Sequence, residues 1–423
     1  MRGLFEIMRL EWRAAVRSRA FYLLLFASVG WTALLPYLLQ DDGTDAGSRE
    51  LFVRYALGGV FSLLAVSLAT MASGSLARER AARRLALALV RPVTRLGVVM
   101  GRVMAWGLVG ALVLIVSGLV LMVRVGPGRL CYREFAPQFA LTPQAEAERA
   151  YEKLQANPAA QKDLLEVPRA DVIRLLSRNA MERTRSIAVG TNVVWTFELP
   201  RTARARAAEV KVRFTNLYGL RDEVWGRFSA SDWSGDVREL TQAVTKVPLQ
   251  ASESAAPLAG TVKLRFDNTG SKTVTLRPRR DIHLRLAADA FIWNWLRAVL
   301  VLTAVLIFIV SFAAFLGATL GRSVATFTAL SVLFVVCVSA AVEDYGFESL
   351  SAPRSERVGR FIAREAARWA HPAGSFNVIE SLSQDTAIEG GGVVRLIALD
   401  GVALPVFWMV LAAWALPRKQ EEA

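Results

Sequence analysis

Histidine and cysteine are nearly missing from this chain: 423 residues carry two of each, His283 and His371, Cys131 and Cys337. Cys337 falls inside an apolar run and Cys131 just beyond another, so no disulfide framework is implied. The same scarcity leaves too few donors for a His/Cys metal site. No GxxxxGK[ST] occurs, and no lysine follows a glycine anywhere, which excludes a Walker phosphate loop. HExxH and GxSxG are absent as well. Acid pairs such as Asp222-Glu223 default to solvated turn or strand positions. Catalysis within the chain is therefore not expected, and no catalytic, cofactor or metal residue is assigned. A cleavable signal is not expected either, because a long first apolar run follows 19 amphipathic residues without a small-residue cleavage site.

What the chain does have is hydrophobicity, 53% of residues, gathered in blocks. About 20 apolar residues span a bilayer as helix, since a rise of about 1.5 Å per residue must cover about 30 Å of hydrocarbon. Six segments meet that length: Ala20 to Leu39, Tyr55 to Ser75, Val98 to Val123, Phe291 to Leu320, Val324 to Val342 and roughly Leu396 to Leu416. Asp400 and Pro405 interrupt the last. The net charge is +14, yet its placement argues against nucleic acid. Arg2, Arg9, Arg13, Arg17 and Arg19 precede the first segment, an arginine knot follows the second, Arg322 joins the fourth and fifth, and Arg418 with Lys419 follows the sixth. All fall on one side of a membrane if both termini are cytoplasmic. Residues 1–19, folded as a helix, set an apolar stripe against arginines, with Arg9, Trp12 and Arg13 suited to the headgroup plane.

The arginine knot is the most distinctive stretch. Residues 76–97 carry Arg78, Glu79, Arg80, Arg83, Arg84, Arg91, Pro92 and Arg95, and Gly101-Arg102 then opens the third apolar run. The Glu79 start, the Arg91-Pro92-Val93-Thr94-Arg95 turn and the Gly101-Arg102 entry resemble the cytoplasmic coupling loop of ABC transporter type-2 permeases. Ala82-Arg83 stands where that family carries Gly-Thr. The short turn Gly321-Arg322-Ser323 corresponds to the family's second, smaller contact with its ATPase. The resemblance implies a six-span α-helical permease fold, a separate cytoplasmic ABC ATPase subunit that binds ATP and magnesium, and a second permease chain, identical or related. It also implies a bacterial cytoplasmic membrane as location. Arginines suit such a contact because their planar forks pair with carboxylates; topology setting and anionic-lipid binding remain the other reading of them.

Residues 124–290 lie outside that resemblance and are expected to form an extracytoplasmic α+β domain. Thr142-Pro143 opens a helical part, 142–185. From 186 to 288 the period changes to two: Val193, Trp195, Phe197 and Leu199, then Val210, Val212 and Phe214, then Val262, Leu264 and Phe266 alternate with polar neighbours. That pattern predicts an antiparallel β-sandwich whose last strand runs into the fourth span. Tyr218, Trp225 and Trp233 are candidate contacts for an outer glycan or protein; Trp195, on the apolar face, reads as core. Residues 343–392 form a further outer segment in which Arg360, Arg364 and Trp369 mark an amphipathic helix for the membrane surface. Residues 393–423 hold the last span and a cytoplasmic tail. Export, or mechanical work on an outer partner, is the function the resemblance implies. The second reading is a non-transporting scaffold or sensor that displays the β domain.

Overall fold

A computed structural model describes residues 2–39, 45–81, 94–126, 128–139, 141–156, 169–183, 185–200, 207–214, 223–240, 244–252, 257–345 and 378–416. The chain divides into two units: a helical one, Met1–Arg129 with Ala290–Ala423, and an inserted one, Leu130–Asp289. In chain order the helices are α1 (Arg2–Arg17), α2 (Arg19–Leu38), α3 (Asp45–Ala81), α4 (Arg95–Val125), α5 (Pro143–Ala156), α6 (Arg169–Glu182), α7 (Pro278–Asp281), α8 (Phe291–Thr319), α9 (Arg322–Tyr345), α10 (Val378–Ser383), α11 (Gly390–Leu396) and α12 (Leu404–Ala415). A π-helical turn, Ile397–Ala403, joins the last two without a break.

Local chemistry sets the helix boundaries. Ser18 is extended between α1 and α2, and its hydroxyl caps α2 by accepting from the Phe21 amide at 3.1 Å. Thr94 does the same for α4, accepting from Gly97 at 3.1 Å; both are standard N-cap chemistry. Gly126, at φ +88°, ends α4, a conformation that costs glycine little.

Among the described residues, five helices are long and apolar enough to cross a membrane: Arg19–Leu38, Gly47–Arg78, Arg95–Val125, Phe291–Thr319 and Gly390–Ala415. The sixth predicted span, Val324 to Val342, lies within α9, whose apolar stretch over described side chains is Arg322–Phe334. The helix itself runs 24 residues, Arg322–Tyr345, and the five others are the candidate spans by length and composition. The core of the unit joins Leu64, Leu68 and Leu76 of α3, Val98, Val113 and Leu114 of α4, Leu306, Val310 and Ala313 of α8, and Ala412 of α12. Glycine permits a close backbone approach of α8 to α3, where a Cβ on Gly317 would collide with the Ser73 carbonyl.

Among the described residues the inserted unit has ten strands: β1 (Leu130–Phe135), β2 (Arg185–Ile187), β3 (Asn192–Glu198), β4 (Ala208–Arg213), β5 (Glu223–Ala230), β6 (Trp233–Leu240), β7 (Val244–Ala251), β8 (Thr261–Asn268), β9 (Val274–Leu276) and β10 (Ile282–Ala290). Eight make one continuous sheet in the order β1-β10-β4-β7-β6-β5-β8-β3, and β2 pairs with β9 alone. The expected two-layer sandwich is thus replaced by a single sheet curled as a half-barrel. Period-two alternation identifies a buried face in either arrangement, and the sequence gives no sign that β7 bridges the two halves. It pairs with β4 over six positions but with β6 over only Trp233↔Ala251 and Ser234↔Gln250. Gly235 lies at this corner, where a Cβ would come 2.5 Å from the Pro248 carbonyl. One core fills the curl, including Trp195, Phe197, Val210, Leu264 and Leu284. Phe214, Phe228 and Phe266 stack within it, with centroids 4.8, 5.1 and 6.5 Å apart.

Candidate functional site

The helices alternate in direction, so the ends of the helical unit differ chemically. At one end lie the last turns of α3, the first of α4, the two-residue turn between α8 and α9, and the last of α12. Arg78 and Arg322 meet over Gly74: Arg78 Nε donates to the Gly74 carbonyl at 3.1 Å, and Arg322 Nε lies 3.7 Å from where a Gly74 Cβ would stand. Ser73 Oγ and Thr326 Oγ1, 3.2 Å apart, hold α3 to α9 just beneath. Arg95 Nη1 donates to the Leu416 carbonyl at 2.8 Å, placing a cation where the α12 dipole is negative. Gly321, Arg322 and Ser323 are all exposed, and the Gly321 carbonyl accepts from Ala325.

Of the residues of the arginine knot and the short turn expected from sequence, this end holds Arg78, Arg95, Gly321, Arg322 and Ser323. Glu79 and Arg80 continue α3, but their side chains, with Arg83, Arg84, Arg91 and Pro92, lie outside the described residues. So do Arg360, Arg364, Trp369 and Tyr218. Helix α1 packs against the start of α4: Glu11 pairs with Arg102 at 3.0 Å, and a Cβ on Gly101 would come 2.9 Å from Ile7. Trp12 is half-buried against the bundle core, while Arg9 and Arg13 are exposed.

The other end of the helical unit holds a second set of polar groups. Asn294, fully buried at the start of α8, donates to the Thr386 carbonyl at 2.8 Å and accepts from the Ile388 amide at 2.6 Å. Arg129 pairs with Asp385 at 2.6 Å, and Arg297 Nη1 donates to the Ile388 carbonyl at 3.2 Å. Residues far apart in sequence form these clamps, so spacing could not reveal them.

In the inserted unit, Trp225 is 42% exposed on the outer face, with the Arg238 guanidinium 4.2 Å above its ring and its Nε1 donating to Glu223 at 3.1 Å. Trp233 is a correction: it is 4% exposed and belongs to the core, because β6 begins in the inward register, whereas Trp225 alternates with inward Val224 and Gly226. A second outer-face cluster lies on β1, β10 and β4. Arg285 is fully buried and ion-paired to Glu209 and, at 3.1 Å, to Glu134, which also takes Lys211 at 3.1 Å. Tyr132 lies beneath the guanidinium, 5.1 Å away. Burial pushes the Glu134 carboxyl up, but Lys211 and Arg285 outweigh it and hold the group below its ordinary value. His283 is pushed down, chiefly by burial, against the opposing pull of Glu134.

Comparison with protein-family models, curated proteins and solved structures finds no match to this chain.

Proposed function

We propose that this chain is the membrane subunit of an ABC-type transporter of the type-2 permease class. A separate cytoplasmic ATPase binds ATP and magnesium, a second permease chain completes the pore, and the work done is export or movement of an outer partner. One observation carries the reading: the end of α3 and the α8–α9 turn come together at Gly74, with Arg78 and Arg322 presented there side by side. A push on that face reaches α3, α8 and α9 at once, because Ser73 touches both Gly317 and Thr326. In this reading α9 is the sixth crossing, and the arginine-rich end is cytoplasmic, as the positive-inside rule favours.

The test is purification from native membranes in mild detergent, with the bound subunits identified and ATP hydrolysis assayed. The unaltered chain is expected to bring down an ATP-hydrolysing subunit, and the Arg78→Glu/Arg322→Glu double variant to lose it while eluting as a folded species. Recovery of no such subunit sinks the proposal and leaves the scaffold or sensor reading, for which the exposed Trp225–Arg238 pair is the place to seek a ligand.

A further inference from the structure

Helix α1 spends its apolar side on the bundle. Ala15 is 4% exposed within the helical core, Ile7, Trp12 and Val16 pack against that core, and Glu11 meets Arg102 of α4 at 3.0 Å. The apolar stripe read from the sequence is therefore not available to lie in lipid. What α1 turns outward is basic: Arg9, Arg13 and Arg17 are exposed, and so is Arg19, the first residue of α2. The first three recur every four residues, so at about 100° per residue they run along the middle of the outward face. Phe5 and Leu10, 59% and 56% exposed, border that stripe on its two sides.

Charges within the chain do not account for the stripe. Among the described residues Arg9, Arg13, Arg17 and Arg19 meet no carboxylate; Glu11 is taken by Arg102, and Glu6 is the other acid of the helix. The α1 dipole favours Arg17 in the last turn but does not reach Arg9 or Arg13. Like charges four residues apart on a helix repel, so the stripe costs stability unless an anion meets it. Position supplies one. Ser18 alone joins α1 to α2, and α2 is a candidate span whose first turns expose Tyr22, Leu23 and Phe26. The basic stripe thus ends where the outward apolar face of a spanning helix begins, at the level of the lipid headgroups.

We infer that the outward face of α1 binds anionic phospholipid, with Arg9, Arg13 and Arg17 on the headgroup phosphates and Phe5 and Leu10 at the acyl boundary. Planar guanidinium forks match phosphate oxygens, and cations bordered by apolar side chains are the make-up of helices held at anionic bilayers. Lipid and α4 then hold α1 from opposite sides.

The full chain carrying Leu10→p-benzoylphenylalanine is reconstituted in vesicles of equal parts phosphatidylglycerol and phosphatidylcholine, irradiated, and its adducts are identified by mass. Phosphatidylglycerol adducts are expected to exceed phosphatidylcholine adducts about fivefold, as one basic residue per headgroup supplies. The excess should vanish in Arg9→Gln/Arg13→Gln/Arg17→Gln and shrink in about 1 M sodium chloride, where the Debye length is about 3 Å. Adducts that mirror the vesicle composition overturn the inference, as does an excess that the triple variant keeps. Should the triple variant not fold, an excess unchanged by the added salt overturns it. Crosslinks to protein in place of lipid overturn it in favour of a protein contact on this face. No ATPase is present, so the outcome is independent of the transporter reading.

Discussion

Arg285 has no accessible surface, although it projects from β10 on the face opposite the core formed by Ile282, Leu284 and Leu286. A buried guanidinium is tolerated only when its charge is met, and here Glu134 and Glu209 meet it. Removing one partner of such a pair costs about 3–5 kcal/mol, whereas replacing the whole set with apolar or neutral groups is often near neutral. Arg285→Met should therefore lower the unfolding free energy read from urea titration of the chain in detergent by an amount in that range, and Glu134→Gln/Glu209→Gln/Arg285→Met should recover most of it. If the single and triple variants unfold alike, the pairing is not what holds this edge. The neighbouring titrations act in one direction. Burial lowers the His283 pKa in the fold, so as pH falls below about 6.5 the unfolded chain takes up the proton first and stability drops. Glu134, depressed by Lys211 and Arg285, contributes stability above about 4.3 that is lost as pH falls through its lower folded value. Acidification should thus weaken the chain in two steps, and His283→Asn should remove the upper one. A stability profile flat from pH 7 to 5 would contradict this. None of the cluster was legible beforehand: the alternation of β10 places Arg285 outward, and outward arginines are ordinarily solvated. The tryptophans were partly legible. The place of Trp195 followed from its neighbours' period, but Trp233 begins its strand after a turn and has no preceding alternation to set its face.

Elements meet in the helical unit through small residues, and the fit distinguishes glycines that composition treats alike. Gly317 of α8 lies against the backbone of Ser73 in α3, where a side chain has nowhere to go, whereas Gly58 in the middle of α3 has open space around it. Gly317→Ala should cost about 1–3 kcal/mol through overpacking and should also separate Ser73 from Thr326. Gly58→Ala should be neutral or stabilise by up to about 1 kcal/mol through helix propensity. Thermal melting of the two variants in one detergent checks the contrast, and equal effects would show that α3 and α8 can shift apart freely. Apolar length made the spans within α2, α3, α4 and α8 readable from sequence, and Ser18 and Thr94 mark where α2 and α4 begin. The last span was harder. Asp400 and Pro405 read as interruptions, but the helix runs through both without a break: Asp400 lies within the π turn, and Pro405 follows that turn at the start of α12. The curl of the sheet was not readable, because the two-residue β6–β7 pairing that makes its corner depends on Gly235 and Pro248 meeting across strands.

At the scale of the whole molecule, the inserted unit leaves and re-enters the helical unit at one point. The Phe291 amide donates to the Arg129 carbonyl at 2.6 Å, so the two chain ends flanking Leu130–Asp289 are already side by side when the insert is taken away. Each unit also has its own core, Leu64 to Ala412 in one and Trp195 to Leu284 in the other. Independent cores and adjoining ends are the conditions under which domain insertion is tolerated and reversible. Replacing Leu130–Asp289 with Gly-Gly should therefore leave a helical unit that inserts into the membrane and elutes from detergent as a single species, since two residues suffice to close paired ends. Aggregation of that variant, with a matching loss of the Asn294 and Arg129 clamps, would mean that the insert holds the α4–α8 junction in place. If the shortened chain folds and still recruits an ATPase, the arginine-rich end works without the half-barrel.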